Sequence, residues 1–147
     1  MMKFKEEIGF LVFLNLGLII LDRVSKWFVL KNPDFYSGNL IELKLFKNQN
    51  LFFISFNQKF LYVLIGAVLL LLIFFIFKSW QKKDILLTAG FSLIILGGLS
   101  NFFDRIYFGY VIDWIRIFIL PISIFNIADM MIIAGISCLI LALIKFK

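Results

Sequence analysis

Four long runs of apolar residues divide this chain. They cover residues 8–30, 60–77, 85–103 and 127–144, and charged or turn-rich segments separate them. As an α-helix the first run would extend roughly 34 Å, which is enough to cross the hydrocarbon core of a bilayer. The pattern therefore predicts an all-α membrane protein with four transmembrane helices.

The segment at 31–59 has a different pattern. Turn-forming residues occur at 32–34 and 37–39, and residues 40–47 alternate between apolar and polar side chains. A period of two is typical of a strand with one apolar face. We expect this segment to form a small β-sheet on the outer surface, and residues 104–125 to form an irregular polar and aromatic loop.

The composition indicates a single membrane domain, residues 1–147. The chain is 63% hydrophobic with a mean hydropathy of +1.03, more than a soluble domain of this size can bury. It has one cysteine, Cys138, and no histidine. This excludes an intrachain disulfide, a Ser–His pair and a zinc site of the HExxH type. We expect no metal or organic cofactor.

The distribution of basic residues predicts the topology. The net charge is +6, which points to the cytoplasm and anionic lipid rather than to nucleic acid. Seven lysines lie in the short terminal segments and in the 78–84 connection: Lys3, Lys5, Lys78, Lys82, Lys83, Lys145 and Lys147. The positive-inside rule therefore places both termini in the cytoplasm.

With this topology, the acids near the membrane gather at the outer leaflet. The polar residues that converge there are Asp22, Lys26, Asn101, Asp104, Arg105, Asp113, Asn126 and Asp129. Charge at the edge of a bilayer is costly and therefore usually functional. The sequence predicts a functional site at this leaflet, and a proton-relaying transporter is one alternative use of such acids.

Several of these residues also have structural interpretations. Asp22 and Lys26 share a helix face, either as an ion pair at the membrane edge or as part of the site. Gly97, Asn101 and Arg105 share another face, where they either join two helices or contact a substrate. Asp104 is favoured as a salt-bridged structural carboxylate.

Asp113 and Asp129 are the candidates for acid–base chemistry. They are sixteen positions apart, so they meet only if the segment between them folds back. Two carboxylates in a setting of low dielectric share one proton, so that one acts as an acid while the other activates water. The alternative is that they are ordinary interfacial acids.

Four motifs occur in order along the chain. They are Asp22-Arg23-Val24-Ser25-Lys26, Gly97-Gly98-Leu99-Ser100-Asn101-Phe102-Phe103-Asp104-Arg105, Gly109-Tyr110-Val111-Ile112-Asp113-Trp114 and Phe125-Asn126-Ile127-Ala128-Asp129. With them the sequence resembles signal peptidase II, the lipoprotein signal peptidase family of bacteria. The resemblance covers nearly the whole chain.

The resemblance implies a four-helix aspartyl protease of the bacterial cell membrane with its active site at the outer leaflet. It implies cleavage of the signal peptide from a diacylglyceryl-modified prolipoprotein, with this substrate and membrane lipid as partners. Because one four-span chain holds every motif, we expect a monomer. The implied catalytic residues are Asp113 and Asp129. Asn48, Asn101, Arg105 and Asn126 would bind substrate, and Asp22, Lys26, Gly97, Asp104 and Ala128 would support the site.

One family motif, N-x-G-x-A-F after the outer strand, is altered. Asn48 and Phe53 fit the motif, but Asn50 replaces the glycine and Phe52 replaces a small residue. Asparagine tolerates a positive φ angle, so the turn is compatible with the change. Phe52 would narrow the substrate groove. A non-catalytic homologue that binds lipoprotein precursors is therefore a second alternative.

Overall fold

The structure, a computed structural model, describes residues 2–49, 57–119 and 124–145. The described residues form, in chain order, α1 (Met2–Lys31), β1 (Asp34–Ser37), β2 (Ile41–Asn48), α2 (Gln58–Gln81), α3 (Ile85–Phe108), β3 (Val111–Ile117) and α4 (Ile127–Lys145). All four helices are long and apolar enough to cross a membrane. The predicted fold class, four transmembrane helices with a small sheet, is confirmed.

Helix α3 lies at the centre of the bundle and packs against α4, α2 and α1. Glycines bring α3 and α4 together: a Cβ atom on Gly90 would lie 2.9 Å from the carbonyl oxygen of Gly135, and one on Gly97 would collide with the carbonyl oxygen of Ala128. Small residues allow helix backbones to approach closely in lipid. The first turn of α4 is therefore held directly against α3.

The three strands form an antiparallel sheet in the order β1-β2-β3. Asn48 at the end of β2 is opposite Val111, and Phe46 is opposite Asp113. The sheet thus brings the end of β2 beside the first half of β3.

The expectation of an irregular loop over residues 104–125 is wrong in two places. Helix α3 continues to Phe108. The next residue, Gly109, caps the helix with a φ of 79°, in the left-handed region. Residues 111–117 then form β3. Val111, Ile112 and Asp113 are all buried, so this strand lacks the apolar–polar alternation by which a half-exposed strand is recognised. The interpretations placed on Asn50, Phe52 and Phe53 lie outside the described residues.

Candidate active site

The first turn of α4 fixes Asp129 through a reciprocal pair of hydrogen bonds with Asn126. The backbone N–H of Asp129 donates to Asn126 Oδ1 at 2.9 Å, and the backbone N–H of Asn126 donates to Asp129 Oδ2 at 3.1 Å. This is a capping box, with an acid in place of the usual glutamate or glutamine. The local sequence therefore fixes one oxygen of the Asp129 carboxylate.

A second amide, that of Asn101 on α3, orients the other oxygen of Asp129. Asn101 Nδ2 donates to Asp129 Oδ1 at 2.7 Å. Asn101 Oδ1 accepts from Lys26 Nζ at 2.9 Å and from Asn126 Nδ2 at 3.1 Å. The ammonium of Lys26 fixes the direction of this amide, since an ammonium group can only donate.

Asp113 lies on β3 and its side chain is held by two asparagines. Asn48 Nδ2 donates to Asp113 Oδ2 at 2.8 Å, and Asn126 Nδ2 donates to Asp113 Oδ1 at 2.6 Å. Asn126 therefore contacts both aspartates. The chain returns from β3 to α4 through a bridge between Ile115 and Phe125, so the segment between Asp113 and Asp129 does fold back.

Burial raises the pKa of the Asp113 carboxyl to about 7, and the nearby charge of Asp129 adds to this effect. Asp113 is only 1% exposed. The amide donors of Asn48 and Asn126 act in the opposite direction without cancelling the rise. Near neutral pH, Asp113 can therefore both hold and release a proton.

Beside the two aspartates, Asp22, Arg23, Lys26 and Asp104 form a cluster that we name the ion cluster. Arg23 Nη1 and Lys26 Nζ each lie 2.8 Å from an oxygen of Asp104. Arg23 Nη2 and Lys26 Nζ lie 2.9 and 3.1 Å from Asp22 Oδ2. Both acids are fully buried, so the two cations compensate charges that would otherwise be costly in lipid.

The charge count of the site favours one bound proton. The ion cluster contains two acids and two bases and is neutral. Arg105, a buried cation, interacts electrostatically with both Asp113 and Asp129. Two ionised carboxylates with one guanidinium would leave a net negative charge in a buried setting, and a single shared proton removes it.

The ion cluster also anchors α4. Asp22 Oδ1 accepts from the backbone N–H of Ala128 at 2.9 Å, and the Ser100 hydroxyl donates to Asp22 Oδ2 at 2.5 Å. An acid on α1 thus satisfies a backbone donor in the first turn of α4, one position before Asp129. Gly97 on α3 permits this approach, because it has no Cβ atom that would collide with the carbonyl oxygen of Ala128.

The structure brings all of the residues proposed from the sequence into this region. Asn48, Asn101 and Asn126 direct their amide groups at the two aspartates. Arg105 Nη1 donates to the backbone oxygen of Asn101 at 3.3 Å.

No role for Arg23, Ser100 or Tyr62 was predicted from the sequence. Arg23 belongs to the ion cluster, and the Ser100 hydroxyl donates to Asp22 in that cluster. The Tyr62 hydroxyl donates to the backbone oxygen of Arg105 at 2.9 Å. Arg23 lies within one of the four motifs, but adjacent residues of a helix point about 100° apart, so Arg23 and Asp22 are not expected to share a face. The guanidinium reaches Asp22 because the arginine side chain is long.

Within the described ranges, no three Asp, Glu, Cys or His side chains form a group that could hold a metal ion. The carboxylates of the site are held by amide donors and cations instead.

Comparisons with known proteins agree on one family. The family model described as signal peptidase (SPase) II matches residues 14–145. The lipoprotein signal peptidase of Streptococcus agalactiae serotype Ia is 36% identical over 135 residues, which cover 87% of each chain. That of Streptococcus thermophilus is 33% identical over 137 residues, covering 88% of this chain and 89% of the relative.

A solved structure of a bacterial membrane enzyme, obtained by the in meso method, has the same fold. It aligns with a TM-score of 0.82 at 26% identity, over 94% of this chain and 89% of that chain. The geometry of the site, the family match and the relatives lead to one conclusion: this multi-pass membrane protein belongs to the signal peptidase II family, and it is a protease.

Proposed function

We propose that the protein is an aspartic endopeptidase that cleaves the signal peptide from lipid-modified prolipoproteins, with Asp113 and Asp129 as its catalytic pair. The observation that carries this proposal is that Asn126 donates hydrogen bonds to both carboxylates, from its side-chain amide to the buried Asp113 and from its backbone N–H to the half-buried Asp129. The relatives named lipoprotein signal peptidase supply the substrate class.

In the proposed reaction, the pair holds one proton. The ionised carboxylate takes a proton from a water molecule, whose oxygen attacks the scissile carbonyl carbon, while the protonated carboxyl donates its proton to the carbonyl oxygen. The tetrahedral intermediate then collapses and the C–N bond breaks. The protonated carboxyl of the pair gives its proton to the leaving amine, and the ionised carboxylate takes a proton from a hydroxyl of the intermediate, which becomes the new carboxylic acid. The pair again holds one proton. Because the two groups are coupled, the proton belongs to the pair rather than to either residue.

The surrounding residues have supporting roles in this proposal. The amides of Asn48, Asn101 and Asn126 orient the two carboxylates, and the contact of these residues and Arg105 with the substrate backbone stays a prediction. The ion cluster holds α1, α3 and α4 in register. We place the site at the outer leaflet, with both termini in the cytoplasm and the substrate approaching laterally from lipid.

A gel-shift assay with a diacylglyceryl-modified prolipoprotein tests the catalytic pair. We expect Asp113→Asn and Asp129→Asn each to lower cleavage by about 10³-fold or more, because neither variant can cycle one proton between two carboxyls. Asp34→Asn is the matched control, since Asp34 is an exposed acid on β1. It should retain full activity.

Thermal midpoints in detergent would establish that the inactive variants are folded. Full activity in either Asp113→Asn or Asp129→Asn would contradict the proposed pair. Precursor binding without cleavage by the native chain would instead favour the non-catalytic alternative.

A further inference from the structure

The end of the bundle far from the aspartates contains a basic recess. It lies between the α2–α3 turn and the last turn of α4 and has a volume of about 370 Å³. We define the basic recess by Lys82, Lys83, Asp84, Ile85, Leu86 and Lys145, which line it. It shares no residue with the proposed active site and has no role in the proposed reaction.

The recess carries an uncompensated positive charge. Its one acid, Asp84, accepts hydrogen bonds from the backbone N–H groups of Leu86 and Leu87, at 3.1 and 3.0 Å, and so caps the start of α3. The ion pairs found among the described residues involve none of Lys82, Lys83 and Lys145. Three lysines without an ion-pair partner among the described residues therefore line one recess, where an anion would balance their charge.

The backbone at Lys83 is fixed by the turn that ends α2. Lys83 has a φ of 57°, in the left-handed region. The N–H groups of Lys83 and Asp84 donate to the carbonyl oxygens of Trp80 and Ser79 at 3.0 and 3.1 Å. This is a Schellman motif, whose left-handed position is usually glycine. Glycine adopts this conformation at a lower cost than lysine does, so Lys83→Gly would keep the turn while removing one charge from the recess.

The surroundings of the recess match the headgroup region of a bilayer. Trp80, in the last turn of α2, is 49% exposed, and exposed tryptophans concentrate at the membrane–water interface. Apolar Ile85 and Leu86 line the recess, and Leu143 and Ile144 continue an exposed apolar surface along α4. A free anion needs only the lysines, whereas a phospholipid also uses this apolar surface.

We infer that the basic recess binds the phosphate headgroup of an anionic phospholipid in the leaflet opposite the proposed active site. Lys82, Lys83 and Lys145 contact the phosphodiester, and the acyl chains run along the exposed apolar face of α4. The lipid joins the α2–α3 turn to the end of α4.

Lipid-dependent thermal stability tests this inference. The protein in neutral detergent receives increasing phosphatidylglycerol or, in parallel, phosphatidylcholine. We expect phosphatidylglycerol alone to raise the thermal midpoint, and Lys83→Gly or Lys145→Gln to weaken the apparent affinity roughly fivefold each. Lys59→Gln is the matched control, because it removes one lysine at the opposite end of α2. It should respond like the native chain.

Lys83→Gly separates lipid binding from folding. Glycine favours the left-handed conformation, so this variant should have a higher midpoint than the native chain without lipid and yet a weaker response to phosphatidylglycerol. The inference is overturned if Lys83→Gly and Lys145→Gln respond like the native chain, or if inorganic phosphate stabilises as strongly as the lipid. The measurement does not use protease activity, so its outcome does not depend on the proposed catalytic pair.

Discussion

Asn126 joins the two proposed catalytic carboxylates. Its side-chain oxygen accepts from the backbone N–H of Asp129, and its side-chain nitrogen donates to Asp113 and to Asn101. The sequence allowed a prediction of part of this arrangement, because an asparagine followed three positions later by an acid is a helix-start signal. The contact with Asp113 depends on β3, which the sequence analysis did not recognise, and so could not be predicted.

The raised pKa of Asp113 gives the stability of the protein a definite dependence on pH. The pKa is about 7 in the folded chain against an ordinary value of 3.8, so the folded state binds this proton more tightly than the unfolded state does. The resulting stabilisation is complete below the unfolded pKa and is lost as the pH rises through about 7. One pKa unit corresponds to about 1.4 kcal/mol.

We therefore expect the native chain to lose stability relative to Asp113→Asn between pH 5 and pH 8, by a few kcal/mol at most. Thermal midpoints of the two proteins in one detergent, taken across this range, measure the change. Asp34→Asn should follow the native chain. If the difference in thermal midpoint between the native chain and Asp113→Asn stays constant from pH 5 to pH 8, Asp113 does not titrate in this range.

At the level of elements, helices were easier to predict than strands. The apolar runs indicated four helices, but α3 extends past the predicted position 103 because the charges at its end are compensated. Asp104 is paired with Arg23 and Lys26 and so can remain in the helix. The bond from Ala128 to Asp22 joins residues 106 positions apart. No local pattern encodes a partner at that distance.

The α3–α4 contact makes Gly97 a sensitive position. We expect Gly97→Ala to displace the first turn of α4, to destabilise the protein by about 1–3 kcal/mol and to reduce cleavage, because the new Cβ collides with the Ala128 carbonyl. Gly17→Ala is the matched control: a Cβ at Gly17, in α1, meets no atom within 4 Å. Midpoints and cleavage rates measure both variants. Equal behaviour of the two would contradict this close approach.

At the level of the whole molecule, the site draws on elements from the entire chain. Helix α1 contributes Asp22 and Lys26, the sheet contributes Asn48 and Asp113, and α4 contributes Asp129. One chain thus holds every residue that we assign to the reaction. This agrees with the expectation of a monomer, which stays a prediction.

The proposed orientation can be tested by cysteine labelling of intact cells. In a Cys138→Ser background, Ser37→Cys on β1 should react with a membrane-impermeant maleimide, because we place the sheet outside. Gln81→Cys, at the far end of α2, should react only after permeabilisation. The Cys138→Ser parent is the unlabelled control. The reverse pattern would show that both termini face outward.

The anchoring of α4 bears on the biogenesis of the protein. Asp129 lies on the last of the four helices in chain order, and Asp113 obtains one of its two amide donors from Asn126, immediately before that helix. A nascent chain that has inserted only α1, α2 and α3 therefore lacks the carboxylate of Asp129. It also lacks the amide of Asn126, one of the two donors to Asp113. In the proposed mechanism, insertion of α4 is therefore the step that completes the catalytic pair, and we expect a chain truncated before α4 to have no cleavage activity.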